Sequence, residues 1–211
     1  MIILVLDPGI STGYCLVKTS HIDVITILED ELFTEQTFES LVQVQKADIY
    51  EYGLIHVDIS SKFQGDHCLN LMEQVQEIIT SHKVDHLVVE NYFYTSKFTN
   101  QCNTNVALRA AIYMVARKNH LEYSMVNVSS WKHFVAGHAR PTKAQEKKWG
   151  ARSAKKLFIQ EALREGFHIG FPTNKKALHD IVDAVGQAVY YCGSTLGISR
   201  ENISCNVINY K

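Results

Sequence analysis

The sequence predicts an α/β protein whose mixed β-sheet carries helices on its faces. Residues 1–59 hold closely spaced apolar segments of strand length, whereas from residue 66 onward helical apolar stripes alternate with short strands. Strands joined by only a few residues pair antiparallel, because a parallel crossover needs a dozen or more residues. Strands first, and then alternating helix and strand, therefore indicate one sheet of mixed direction.

Strands make up the N-terminal part of this pattern. Residues 1–7 are a continuous apolar run that ends in Asp-Pro-Gly, which is typical of a buried strand stopped by a turn. Residues 12–17 and 24–28 are predicted to be the next strands, and residues 52–59 another strand of the same meander. The acidic stretch 29–51 is predicted to be a surface elaboration.

Helices dominate the remainder of the chain. Apolar spacing predicts helices over residues 66–83, about 103–118 and about 179–192, with short buried strands at 86–89 and 123–128. Ser129 or Ser130 is expected to cap a short helix, and Ser153 a helix that ends near residue 165. No repeat or Pro/Gly-rich linker divides the chain, so we expect a single domain.

The composition is that of a folded, membrane-free protein. Of 211 residues, 46% are hydrophobic and 20% charged, and no apolar run approaches the roughly 20 residues that span a bilayer. The N-terminus lacks the pattern of a signal peptide. The five cysteines form no C-x-x-C pair, so neither a disulfide framework nor a zinc site is indicated. We expect a soluble, cytoplasmic protein without a membrane partner.

Charge is unevenly distributed along the sequence. Residues 1–131 carry 8 Lys/Arg against 16 Asp/Glu, whereas residues 132–176 carry 11 Lys/Arg against 3 Glu, although the whole chain has a net charge of −1. A basic segment indicates either a solvated helical face or a polyanion partner. Trp131, Phe134 and Trp149 lie within or beside it, and aromatic groups beside cations favour nucleic acid.

Four carboxylates stand out by their positions. Asp7 closes the first buried strand, Glu90 closes the strand at 86–89, and Asp180 and Asp183 share one polar face of the last helix. Active sites of open α/β sheets gather beyond the carboxyl ends of the strands. Asp7 and Glu90 meet there if their strands are parallel neighbours, and a helix packed nearby adds the other two.

Converging carboxylates raise one another's pKa unless a cation compensates their charge. Oxygen ligands without Cys or His suit Mg²⁺ or Mn²⁺, and two such ions can cleave a phosphodiester. Each acid also has a structural explanation by itself: a turn former at Asp7, a strand end at Glu90, and favourable charges in a first helical turn at Asp180 and Asp183. His179 is interpreted as a helix cap, with a general base as the alternative.

Three segments together resemble a known family. LVLDPGISTGY (4–14), VDHLVVENYF (84–93) and HDIVDAVGQA (179–188) are similar to the three acidic motifs of RuvC-type Holliday junction resolvases. The resemblance implies an RNase H-like fold, a five-stranded mixed sheet with helices on both faces. It assigns residues 1–192 to the nuclease domain, with 29–51 as an elaboration and 193–211 as a C-terminal extension. This elaboration and this extension fit a phage or viral branch of the family.

The resemblance also assigns roles to individual residues. Asp7, Glu90, Asp180 and Asp183 match the metal-binding acids, which implies two Mg²⁺ ions, or Mn²⁺, per active site. Phe93 matches an aromatic that enters the junction centre, although an aromatic after a strand end is often a core residue. Lys132, together with Lys155 or Lys156, resembles the family's basic residues near the cleaved strand.

The implied activity is symmetrical nicking of a four-way DNA junction, leaving 5′-phosphate and 3′-hydroxyl ends. Because the junction is two-fold symmetric, a homodimer is expected. Alternatives are a broader branched-DNA nuclease, an RNA–DNA hybrid nuclease, an actin-like nucleotide-binding protein and a non-catalytic DNA-binding relative. The actin-like class needs a second Gly-rich phosphate loop, which the sequence lacks, and a non-catalytic relative would normally have lost one acid.

Overall fold

A computed structural model describes residues 1–28, 38–91, 99–171 and 178–207. The strands are β1 (Ile2–Asp7), β2 (Ser11–Leu28), β3 (Phe38–His56), β4 (His86–Asn91), β5 (Glu122–Asn127) and β6 (Ile203–Cys205). The helices are α1 (Gln64–His82), α2 (Thr99–Lys118), α3 (Val128–Ala136), α4 (Lys143–Trp149), α5 (Ala151–Phe167) and α6 (Leu178–Tyr190). A π-helical turn (Tyr191–Thr195) and a 3-10 turn (Arg200–Asn202) follow. The expected mixed α/β layout is confirmed.

The sheet has six strands in the described residues, in the order β5-β4-β1-β2-β3-β6, where five were expected. The additional strand, β6, comes from the C-terminal segment and pairs parallel to β3 through Ala47 and Ile203. Ile198 and Ile203 are buried in the same core as the sheet. Three residues of strand give too weak a pattern to be recognised in a sequence.

The N-terminal meander is antiparallel, as its close spacing predicts, but its strands are longer than expected. The strands predicted at 12–17 and 24–28 are one continuous strand, β2, with a bulge between Leu16 and Val17. Most of the predicted elaboration, residues 38–51, belongs to β3, while residues 29–37 lie outside the described residues. Backbone pairing between β2 and β3 continues through polar residues, because the ladder uses backbone groups and not side chains.

Parallel pairing brings three strand ends to one edge of the sheet. β1 pairs parallel with β4, with Leu6 opposite Val89, and β4 pairs parallel with β5, with Glu90 opposite Val126. The carboxyl ends of β1, β4 and β5 therefore meet at the same edge. This is the arrangement on which convergence of Asp7 and Glu90 depends.

Helices cover both faces of the sheet. Ile3 and Val5 point into the core beneath α3, α5 and α6, whereas Leu4 and Leu6 point into the core beneath α1 and α2. Alternate residues of a strand face opposite sides, so burial on both faces explains the uninterrupted apolar run in β1. Among the described residues, no helix combines the length and apolarity needed to cross a membrane.

Three predicted helix caps are wrong by a few residues. α3 is capped by Asn127, whose Oδ1 accepts from the backbone N–H of Ser129 at 3.0 Å, because β5 passes directly into the helix. α5 begins at Ala151, ahead of Ser153. His179 lies inside α6, which begins at Leu178, so it does not cap that helix.

Candidate active site

An open pocket of about 660 Å³ lies at the edge where β1 and β4 end. Its walls contain the turn after β1, part of α2, the start of α3 and the first turns of α6. The structure brings all four acids of the sequence analysis to this pocket, together with Lys132. The complete lining is Asp7, Pro8, Gly9, Ile10, Ser11, Glu90, Thr104, Asn105, Val128, Lys132, Asp180 and Asp183.

The turn after β1 is held by its own side chains. Thr12 Oγ1 accepts from the backbone N–H of Gly9 at 3.1 Å and donates to the Gly9 carbonyl at 2.7 Å. The Ile10 carbonyl also accepts from the backbone N–H of Val57 at 3.0 Å. These bonds brace the wall of the pocket next to Asp7.

Asp7 and Glu90 lie on adjacent parallel strands, and both carboxyl groups line the pocket. The pKa of Asp7 is well above its usual value because the group is desolvated and because Glu90, Asp183 and Asp180 are negatively charged. Asp7 therefore keeps its proton more readily than a free aspartate does.

Gly13 allows α6 to come close to this strand end. It lies opposite Asp7 in the ladder between β1 and β2, and a Cβ at Gly13 would stand 2.0 Å from the Asp180 carbonyl oxygen. Any side chain would force the helix away. Because Gly13 has no side chain, α6 can approach closely enough to bring Asp180 and Asp183 beside the ends of β1 and β4.

The pKa of Asp183 is raised to about 7. Desolvation is the largest cause, the charges of Glu90 and Asp180 add to it, and Lys132 opposes it. Lys132 Nζ lies 3.8 Å from Asp183 Oδ2, with both side chains largely buried. His179 extends the polar cluster, since its Nε2 lies 3.0 Å from Asp180 Oδ1.

Glu90 is held by two residues that the sequence analysis did not place in the site. Trp131 Nε1 donates to Glu90 Oε1 at 3.0 Å, and Gln187 Nε2 donates to the same oxygen at 3.4 Å. Trp131 is fully buried, so its interpretation as a stacking group for nucleic acid is wrong. A polar glutamine beside the apolar stripe of α6 is the one sequence signal from which the role of Gln187 could have been found.

The remaining predicted residues lie away from the acids or outside the described part of the chain. Lys155 is an exposed residue of α5, and Phe93 and the side chain of Lys156 lie outside the described residues. Phe134 is partly exposed and packs against Phe167 and Tyr190. The roles proposed for Phe93, Lys155 and Lys156 in DNA binding stay predictions.

The pocket fits a hard divalent cation by the chemistry of its donors. Its acids supply carboxylate oxygens only, which suits Mg²⁺ or Mn²⁺, and the raised pKa of Asp7 shows that its negative charge is poorly compensated. As the side chains stand, no three His, Cys, Asp or Glu of the described residues are grouped closely enough to hold one ion. The four carboxylates of the pocket thus have the donor type and the charge to attract a hard divalent ion.

Comparisons with known proteins identify the fold. No family model and no curated protein matches the sequence. Among solved structures, Thermus thermophilus RuvC is similar at 14% identity with a TM-score of 0.58, covering 94% of this chain and 98% of that one. The same protein in complex with a Holliday junction substrate gives 14% identity and a TM-score of 0.57, over 91% and 94% of the two chains. The chain therefore has the fold of RuvC, as the resemblance of its motifs implies.

Proposed function

We propose that this chain, which has the RuvC fold, is a metal-dependent endonuclease that resolves four-way DNA junctions by symmetrical nicking. The observation that carries the proposal is the convergence of Asp7, Glu90, Asp180 and Asp183 on one pocket at the carboxyl edge of the parallel strands. RuvC bound to a Holliday junction substrate has the same fold. Its substrate class is therefore the first to test.

In this proposal the four acids hold two divalent ions, Mg²⁺ or Mn²⁺. Bound there, the ions would supply an activated water and stabilise charge on the attacking and leaving oxygens of the phosphodiester. The carboxylates must be deprotonated to serve as ligands, so metal binding would displace protons from Asp7 and Asp183, whose pKa values are raised.

Lys132 has a separate part in the proposed reaction. Its ammonium group lines the pocket and lies within 3.8 Å of Asp183. If Asp183 held a cation, its attraction for Lys132 would weaken, and the ammonium would be available to a DNA phosphate in the pocket. In this proposal the lysine would compensate the carboxylate cluster before substrate arrives and orient the scissile strand afterwards.

A basic surface on α4 and α5 supports a polyanionic substrate. We define it by the exposed residues Lys143, Lys147, Lys148, Arg152, Lys155 and Arg164. Lys148 and Arg164 are both in reach of Glu161, at 3.0 and 4.0 Å, so part of the charge is compensated within the chain. The others form a surface that attracts phosphate through a long-range, salt-dependent field.

A cleavage assay tests the proposal. Labelled four-way junction, duplex, flap and RNA–DNA hybrid are each incubated with the protein and Mg²⁺, with ATP hydrolysis measured in parallel. We expect paired nicks on opposing junction strands whose 5′-phosphate and 3′-hydroxyl ends a ligase can seal. Preferential hydrolysis of the hybrid would replace the proposal with a hybrid nuclease, and hydrolysis of ATP alone with an actin-like protein.

A further inference from the structure

We infer that Trp131 and Gln187 are positioning residues that hold the Glu90 carboxylate in the orientation needed to bind metal. This inference rests on the proposed function, because it gives a purpose to the contacts around one proposed ligand. Trp131 comes from α3 and Gln187 from α6, while Glu90 is the penultimate residue of β4. Three elements that are distant in sequence therefore meet at one carboxylate oxygen.

The two carboxylate oxygens of Glu90 have different surroundings. Both donors bond Oε1, at 3.0 Å from Trp131 Nε1 and 3.4 Å from Gln187 Nε2. Neither donor engages Oε2, so that oxygen is left for a cation or for the carboxyl group of Asp7. A carboxylate with one oxygen fixed by two donors has little rotational freedom. Fixed orientation is what a metal ligand requires from its surroundings.

Packing alone does not explain these two residues. The Trp131 ring packs against α6 at Gly186, where a Cβ would stand 2.7 Å from the ring. The indole therefore lies in close contact with the helix that carries Gln187. Gln187 is fully buried, and its Oε1 has no hydrogen-bond partner among the described residues. Burying an unpartnered polar atom costs free energy, so an aliphatic residue would serve packing better. What the Gln187 amide contributes is the hydrogen bond that its Nε2 donates to Glu90.

The inference predicts weaker metal binding when either donor is removed. Gln187→Met keeps the length of the side chain without its donor, and Trp131→Phe keeps an aromatic ring without the indole N–H. Removal of a hydrogen bond to a metal ligand typically weakens affinity by 10- to 100-fold. We expect each variant to raise both the Mn²⁺ dissociation constant, measured by calorimetry without DNA, and the Mg²⁺ concentration for half-maximal junction cleavage by about 10-fold.

Phe158→Leu is the matched control. Phe158 is buried in the same core as Trp131 but has no hydrogen bond to Glu90. The Phe158→Leu variant should lower the melting temperature as Trp131→Phe does. It should leave the Mn²⁺ dissociation constant and the Mg²⁺ concentration for half-maximal cleavage unchanged. Because Trp131 and Gln187 donate to one oxygen, the double variant should lose less than the product of the two single effects.

A fluorescence measurement tests the inference without requiring that the Trp131→Phe variant folds. The chain contains two tryptophans, so Trp149→Phe leaves Trp131 as the sole tryptophan, which can be excited at wavelengths that tyrosine does not absorb. We expect Mn²⁺ to quench its fluorescence with the dissociation constant that calorimetry measures, and Gln187→Met to shift that constant about 10-fold. Absence of quenching at saturating Mn²⁺ would overturn the inference.

The outcomes separate this inference from the proposed function. If Gln187→Met and Trp131→Phe are folded and bind metal like the wild type, while the wild type resolves junctions, the positioning role is wrong and the resolvase proposal survives. If the wild type binds Mn²⁺ through Glu90 but cleaves no junction, the resolvase proposal fails alone. If the wild type binds no divalent ion, both are overturned.

Discussion

Asp7 and Asp183 differ from ordinary surface acids because burial and the neighbouring carboxylates of the pocket raise their pKa values. Asp7→Asn, Glu90→Gln and Asp183→Asn each remove one negative charge while keeping the shape of the side chain. We expect each to abolish Mg²⁺-dependent junction cleavage, since a two-ion site that lacks a ligand cannot place both ions. Junction affinity measured in Ca²⁺ should be retained or increased, because the acids repel phosphate.

The matched control for these variants is Glu73→Gln, which changes an exposed carboxylate of α1 and should leave cleavage unchanged. Asp180→Asn is expected to have a milder effect because the neighbouring His179 can act as a substitute ligand. If any two of Asp7→Asn, Glu90→Gln and Asp183→Asn still resolve junctions at a near wild-type rate, the metal site is elsewhere.

Asp183 makes the stability of the metal-free protein dependent on pH. Its pKa is raised from 3.8 to about 7 in the folded protein, so the folded state holds the proton more tightly than the unfolded state. The free energy of unfolding should therefore fall as pH rises from about 4 to about 7, in the opposite sense to a salt-bridged aspartate. Urea unfolding in EDTA across this range measures the slope.

Asp183→Asn should flatten that slope, whereas the Glu73→Gln control should not. Saturating Mg²⁺ is expected to recover stability mainly above pH 6, because metal competes with protons for the same carboxylates and binds only the folded site. A metal-free protein whose stability rises steadily between pH 4 and pH 7 would contradict the assigned charge repulsion.

Gly13 shows how one element positions another. Because a Cβ there would stand 2.0 Å from the Asp180 carbonyl oxygen, Gly13→Ala must push α6 away from the sheet. We expect a decrease of about 1 to 3 kcal/mol in unfolding free energy, typical of overpacking, together with loss of cleavage. Gly65→Ala in α1 is the control, since a Cβ at Gly65 meets no atom within 4 Å. Wild-type cleavage by folded Gly13→Ala would contradict this role.

The helices that follow β5 supply the positive charge. Simultaneous replacement of Lys132, Lys155 and Lys156 by Ala should flatten the slope of log junction affinity against log salt by about 0.9 for each phosphate that these lysines neutralise. Lys155 is exposed, whereas Lys132 lies in the pocket beside Asp183, so the single variants distinguish general attraction from binding at the scissile strand. An unchanged slope for the triple variant would identify these lysines as a solvated face.

At the scale of the whole molecule, symmetric cleavage of a two-fold substrate needs two active sites. A surface on α2 and β5 is suited to join two copies. Its exposed apolar residues are Val106, Met114, Tyr123 and Met125. The rings of Tyr113 and Tyr123 stack 4.7 Å apart, which places the two elements side by side, and β5 is an edge strand of the described sheet. Exposed apolar residues beside a free strand edge are features of interaction surfaces.

We therefore expect a homodimer that Met114→Glu dissociates, as measured by sedimentation velocity, with an accompanying loss of paired nicking. Leu69→Glu is the control, because Leu69 is an equally exposed apolar residue on α1. A wild-type monomer at micromolar concentration, or a Met114→Glu protein that stays dimeric, would rule out this interface.

The layout of strands first and then alternating helix and strand, and the four acids, were predictable from local pattern, whereas α4 and β6 were not. The apolar run before Asp7 and the short apolar strand before Glu90 are bounded by turn residues, so their ends can be recognised within a few residues. Asp180 and Asp183 share a polar face of a helix whose other face carries an apolar stripe of helical period. Patterns of this kind are written in neighbouring residues, which is why the mixed sheet and the positions of the acids at strand ends followed from sequence alone.

Tertiary structure decided the features that depend on partners distant in the chain. The length of β2 follows from its ladder with β3, and β6 exists as a strand because β3 offers it a free edge. Trp131 lies next to basic residues in the sequence, yet the fold turns it inward to Glu90 and to Gly186 of α6. Hydrogen bonds and packing between distant segments leave no periodic trace in sequence, so only the folded chain reveals which donors hold Glu90.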